Sequence, residues 1–169
     1  MNIALVGLPG SGKSTIAKQL ARRLELPLFD CDHEIEQQLG CLIRDYFNCC
    51  GETSFRDIES KMMDKLTLMS GVLSTGGGAV LLKANRNHLR QRSSVIYLHS
   101  TPTEVFKRIR HDRVRPLLQV DDPLKRLEDL YSVRDSLYRD VACMVVETGS
   151  RAVASVTNQI IEQLDLLKR

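Results

Sequence analysis

The sequence predicts an α/β protein, an open parallel sheet covered by helices on both faces. Three observations predict it. Short apolar runs of strand length alternate along the chain with stretches of helical periodicity. The first of these runs passes through a glycine-rich loop straight into a helix. No internal repeat or low-complexity segment breaks the alternation. At 169 residues the chain reads as one domain, long enough to bury a core.

Each element has its own signal. Ile3-Ala4-Leu5-Val6 reads as a buried strand. Ile16, Ala17, Leu20, Ala21 and Leu24 then fall on one face of a helix. Leu26-Pro27-Leu28-Phe29 is a second short strand, ending at Asp30-Cys31-Asp32. Helices are expected over residues 32–39, 42–48 and 52–69, the last carrying Phe55, Ile58, Met62, Leu66 and Met69 at helical spacing. Gly51 marks the start of that helix and Gly71 its end. Val72-Leu73-Ser74-Thr75 is a strand, broken by Gly76-Gly77-Gly78. A polar, basic helix over 84–92 precedes the strand Val95-Ile96-Tyr97-Leu98. Thr101-Pro102-Thr103-Glu104 starts the next helix, with Thr as N-cap, Pro in the first turn and Glu closing the capping box. Residues 110–123 are rich in charge and proline and long for a connection, which marks a functional loop. A helix over 124–139, a strand over 142–146 and an amphipathic helix over 151–167 complete the chain. Val153, Val156, Ile160, Leu164 and Leu167 form the apolar face of that last helix.

In such a sheet, ligands bind beyond the carboxyl ends of the strands. Gly7-Leu8-Pro9-Gly10-Ser11-Gly12-Lys13-Ser14 lies at that edge and fits the phosphate-binding pattern G-x-x-x-x-G-K-[ST]. Glycines let backbone N–H groups crowd around phosphate oxygens, and the helix start adds unpaired donors. Lys13 brings charge to the β- and γ-phosphates, and the Ser14 hydroxyl suits Mg²⁺. Asp30, Asp32, Thr75 to Gly78 and Ser100 also follow strands, so they gather at the same edge.

Composition narrows the function. A net charge of +3 gives no argument for nucleic acid, and no apolar run is long enough to span a membrane. With the phosphate loop so close to Met1, no signal or transit peptide is expected. Cys31, Cys41, Cys49, Cys50 and Cys143 match no zinc spacing and read as reduced, partly buried thiols of a cytoplasmic protein. His33, His88, His99 and His111 have no ligand spacing and are expected on the surface or in loops. A GTPase would carry Asn-Lys-x-Asp, which is absent. A motor or transporter ATPase would end a strand in Asp, whereas here the strand runs Ser74-Thr75-Gly76. A small domain with a long basic loop instead suits a small-molecule kinase whose lid excludes water.

The phosphate loop through Thr15, Phe29-Asp30-Cys31-Asp32, and Gly51-Glu52-Thr53-Ser54-Phe55-Arg56-Asp57-Ile58-Glu59 form one ordered pattern. It continues in Leu73-Ser74-Thr75-Gly76-Gly77-Gly78-Ala79-Val80, Val114-Arg115-Pro116-Leu117-Leu118 and Arg134-Asp135-Ser136-Leu137-Tyr138. On these stretches rests a close resemblance to the shikimate kinase family. It implies a three-layer P-loop kinase fold with parallel strand order 2-3-1-4-5 and a lid. It implies one kinase domain over 1–169, with substrate-binding helices at about 32–60 and the lid at about 110–123. It implies transfer of the ATP γ-phosphate to the 3-hydroxyl of shikimate, with one Mg²⁺. ATP and shikimate are then the partners of a monomer that binds neither nucleic acid nor membrane.

The resemblance also implies roles. Gly10, Ser11, Gly12, Lys13, Ser14 and Thr15 hold ATP, with Ser14 and, through water, Asp30 at the metal. Asp32 contacts the ring hydroxyls, orients the attacking oxygen and is the candidate to accept its proton. Arg56 and Arg134 read the carboxylate as guanidinium forks, and Glu59 holds Arg56. Gly76, Gly77 and Gly78 present bare backbone to the substrate, while Phe47, Phe55, Pro116 and Leu117 wall the ring. Arg115 reaches the phosphates on lid closure. Arg108 and Arg151 flank the adenine, although Val153 stands where family members often show Pro.

Each residue also has a plainer reading. Asp32 suits an N-cap, Arg56 an exposed pair with Glu52 or Glu59, Arg134 a solvated face, and the glycines a flexible turn. The competing functions are a gluconate or nucleoside monophosphate kinase, and a catalytically dead binding module. The last is disfavoured because Lys13, Asp32 and the pocket arginines are all present.

Overall fold

The computed structural model describes residues 1–110 and 120–168. Arg115, Pro116 and Leu117, and most of the expected lid, lie outside the described residues. Five strands form one parallel sheet: β1 (Asn2–Val6), β2 (Leu28–Asp30), β3 (Gly71–Ser74), β4 (Ser94–His99) and β5 (Met144–Glu147). Their order is β2-β3-β1-β4-β5, as the resemblance implies. β1 sits centrally, in register Ile3 to Val72 on one side and Ile3 to Ser94 on the other.

Alternation along β1 sends side chains to both faces, so each face has its own core. Ile3 and Leu5 pack with Ile16, Ala17 and Leu20 of α1 (Lys13–Leu24) and Val156, Ile160 and Leu164 of α7 (Val153–Leu167). Ala4 and Val6 face α3 (Ile43–Leu66), α4 (Lys83–Arg92), α5 (Pro102–Ile109) and α6 (Pro123–Val141), through Met63, Leu89, Val105 and Tyr138. The short helix α2 (Cys31–Leu39) adds Ile35 to that second core.

Several boundaries differ from expectation for local reasons. β2 starts at Leu28 because Glu25, at φ 54°, caps α1 and Leu26 N–H closes onto Ala21 O. The helices expected over 42–48 and 52–69 run as one element, broken at Gly51 (φ 83°, ψ 173°). That element ends at Leu66, where Thr67 turns its hydroxyl back onto Met63 O, so Met69 is exposed rather than on the apolar face. A 3₁₀ turn, Ala79–Leu81, follows the glycine triplet and is too short to show a period. Val153 and Leu167 are exposed, leaving Val156, Ile160 and Leu164 as the buried stripe of α7. His99 is buried inside β4, not on the surface, because Glu147 and Tyr131 satisfy both ring nitrogens. Cys31 is buried, and the other four thiols are exposed rather than half-buried.

Candidate active site

The phosphate-loop side of the cleft is built where β1 meets α1. Gly12 precedes α1 at φ 89°, a left-handed conformation that glycine adopts without penalty. It carries no side-chain cap, so the first N–H groups of α1 stay open toward the loop. Lys13 is buried and folds across the loop, donating to Gly7 O at 2.8 Å and Leu8 O at 2.9 Å. The buried Ser11 hydroxyl has no hydrogen-bond partner among the described residues. Ser14 Oγ donates to Asp30 Oδ2 at 2.9 Å, while Asp30 Oδ1 accepts from His33 N and caps α2. The helix cap is thus Asp30, which leaves Asp32 within the first turn and its carboxylate facing the cleft.

Two cavities flank the loop. One of about 260 Å³ is lined by Gly10, Lys13, Ser14, Asp30, Asp32, Thr75 and Gly77. The other, about 210 Å³, is lined by Ser11, Gly12, Thr15, Arg108, Arg151 and Val153. Arg108 Nη1 donates to Gly10 O at 3.1 Å and Nη2 to Gly149 O at 2.5 Å. Arg151 donates to Glu147 O at 2.9 Å and to Ser155 Oγ at 3.0 Å. The two arginines lie on the same rim, Arg108 tying the loop to the β5–α7 connection.

The opposite side of the cleft is assembled from three helices around the glycine triplet. None of the three glycines has a positive φ; the constraint is space. A Cβ on Gly76 would lie 2.9 Å from Asp32 Oδ1 and 3.0 Å from Glu59 Oε2. One on Gly77 would lie 2.8 Å from Pro9 Cδ and 3.3 Å from Arg134 Nη1. One on Gly78 would lie 2.6 Å from Arg56 Cζ. Asp32, Glu59, Arg134 and Arg56 therefore meet over one short turn, next to the phosphate loop. Arg56 Nη1 donates to Glu59 Oε1 at 2.7 Å, and Glu52 lies 3.5 Å from its Nε. Both pairings weighed from the sequence exist, but the Arg56 guanidinium is largely buried and Glu59 is fully so. Arg134 is buried as well, not solvated. The Phe47 and Phe55 rings pack at a tilt of 49° with centroids 5.5 Å apart, and Phe47 lines a cavity of about 590 Å³ with Asp32, Glu36, Leu42, Ile43 and Arg44.

Charge in the cleft is mixed. Asp32 reaches solvent at the cleft mouth, yet the protein crowding around it pushes its pKa up to about 6. Asp30 and Glu59 add to that rise and Lys13 opposes it. Burial raises Glu59 too, with Arg56 pulling the other way.

The shikimate kinase family model matches residues 9–165. The chain belongs to the shikimate kinase family. It is 49% identical over 166 residues to shikimate kinase from Ralstonia nicotianae, covering 98% of this chain and 87% of the relative. Its fold superposes on that of shikimate kinase from Acinetobacter baumannii, solved in complex with shikimate, with a TM-score of 0.92 at 41% identity. That match covers 99% of this chain and 94% of the other. A gluconokinase from Sinorhizobium meliloti shares only the fold, at a TM-score of 0.57 and 14% identity over 99% of this chain and 97% of its own.

Within this shikimate kinase architecture, sequence reasoning passed over four contributors. Pro9 closes on Gly77, and Leu42, Ile43 and Arg44 line the large cavity. The signal for the latter three was their place directly after Gly40, where the chain leaves α2 toward the cleft.

Proposed function

We infer that this protein is a phosphotransferase that moves the ATP γ-phosphate to the 3-hydroxyl of shikimate, giving shikimate 3-phosphate and ADP. The observation that carries it is the meeting of Asp32, Arg56 and Arg134 at Gly76–Gly78, beside Lys13. A ring bearing one carboxylate and several hydroxyls needs guanidinium donors at one end and a carboxylate acceptor at the other. Arg56 and Arg134 supply the first, with Glu59 fixing Arg56; Asp32 supplies the second. Asp32 orients the 3-hydroxyl and takes its proton, a task suited to a carboxylate of raised basicity. Phe47 and Phe55 form the apolar wall, and the glycine turn lets the ring approach backbone. Gly10, Ser11, Gly12, Lys13, Ser14 and Thr15 cradle the triphosphate, and Arg108 and Arg151 frame the base.

Ser14 and, through water, Asp30 would hold one Mg²⁺; their adjacent hard oxygens fit that ion, which when bound draws charge from the β- and γ-phosphates. On the resemblance alone, Arg115 joins the phosphates and Pro116 and Leu117 cover the ring, as parts of a lid over 110–123 within one kinase domain. A monomer is proposed on the resemblance alone. Five free thiols support the cytoplasm.

A substrate panel tests this reading. ATP turnover measured with shikimate, gluconate and nucleoside monophosphates should respond to shikimate alone. Turnover with gluconate or a nucleotide, and none with shikimate, would overturn it.

A further inference from the structure

Gly77 is gripped from two sides. Tyr138 Oη donates to its carbonyl at 2.5 Å. On the other side lie Pro9 of the phosphate loop and Arg134. Tyr138 is fully buried and stands four residues after Arg134, so both side chains leave the same face of α6. A phenol has one proton to give, and burial removes the water that would compete for it. α6 is itself fixed against the sheet. Tyr97 Oη donates to Asp135 Oδ1 at 2.8 Å, and Tyr131 Oη pairs with His99 Nε2 at 2.8 Å. The helix is held in rotation from the residues flanking Arg134, and Tyr138 transmits that position to the glycine turn.

We propose that Tyr138 is a positioning residue for the acceptor site: its hydroxyl holds the glycine turn against α6 at the height where Arg134, Arg56 and Asp32 meet. The inference rests on the functional reading above. Freeing the Gly77 carbonyl lets the turn shift relative to α6, and with it the surfaces against which Asp32 and Arg56 pack. The nucleotide side is anchored separately, by Lys13 on Gly7 and Leu8. The effect therefore falls chiefly on shikimate and reaches ATP only through the Pro9 contact at Gly77. Burial also pushes the phenol pKa up to about 12, with Arg134 opposing, so the proton stays on Tyr138 at neutral pH.

The test compares wild type, Tyr138→Phe and a variant with 4-aminophenylalanine at the same position, which restores an N–H donor. Steady-state kinetics are run against both substrates, beside thermal melts. Tyr138→Phe should raise KM for shikimate about tenfold and leave KM for ATP within about twofold. The aminophenylalanine variant should recover most of the shikimate KM. A structural role alone would lower the melting temperature or the active fraction and leave both KM values in place. That result, equal rises in both KM values, or a Tyr138→Phe protein that does not fold, would overturn the proposal. Wild type inactive on shikimate would instead overturn the functional reading and the proposal together.

Discussion

Replacing Gly78 with alanine separates folding from function at the centre of the site. Gly78 sits at φ −97°, ψ 6°, a conformation open to any L-residue, so alanine meets no backbone penalty there. It also loses less chain entropy on folding than glycine, which favours the variant slightly. The new methyl, however, would lie 2.6 Å from Arg56 Cζ. Ordinary carbon contacts lie near 3.5 Å, so the guanidinium must retreat by about 1 Å. The guanidinium is the far end of a flexible side chain and can do so without moving the backbone. Its partner cannot follow: Glu59 is fully buried, and their 2.7 Å bond stretches or breaks. A misplacement of that size in a positioning group costs on the order of 100-fold in rate. We therefore expect Gly78→Ala to fold and bind ATP normally, melting below wild type because buried Glu59 loses its close partner, with kcat/KM for shikimate down about 100-fold. Coupled assays at saturating ATP, with calorimetry for ATP, measure both. A variant with kcat/KM near wild type would show that Arg56 has no need of its observed position.

The remaining predictions concern Asp32. In the ligand-free protein its carboxyl should titrate near pH 6, read by carbon NMR of labelled aspartate. Glu59→Gln removes a repelling charge and should lower that midpoint; titration in the ordinary range near 3.8 would contradict the crowded site. Since the carboxylate is the form that takes a proton, activity should fall as pH drops through the midpoint. Asp32→Asn should cut turnover by about 100-fold or more while ATP affinity holds, and near-normal turnover would remove Asp32 from the chemistry.

What the sequence made legible depended on how local each signal is. The phosphate loop, its strand and its helix are contiguous, so Gly12, Lys13 and Ser14 could be assigned roles from residue type and spacing. Asp32, Arg56 and Arg134 come from three different helices, and no periodicity brings them together; only the family pattern did. The glycine triplet reads from sequence as a break. That it is forced by the side chains of Asp32, Glu59, Arg134 and Arg56 requires coordinates. His99 departs from expectation because a polar residue at the end of an apolar strand reads as exposed, whereas Glu147 and Tyr131 satisfy it from neighbouring elements. Tyr138 belongs to the same class: its partner is a backbone carbonyl far away in the chain, which no side-chain pattern records.

The proposed activity depends on Arg134 and Arg56 binding the acceptor through its carboxylate. A double cycle measures this directly, with shikimate and its uncharged carboxamide titrated by calorimetry into wild type and Arg134→Ala. Each single change should weaken binding by about 2–5 kcal/mol, since a buried charged hydrogen bond loses one partner. Made together, they should cost little more than either alone. Fully additive losses, or shikimate binding unchanged in Arg134→Ala, would show that the carboxylate lies elsewhere.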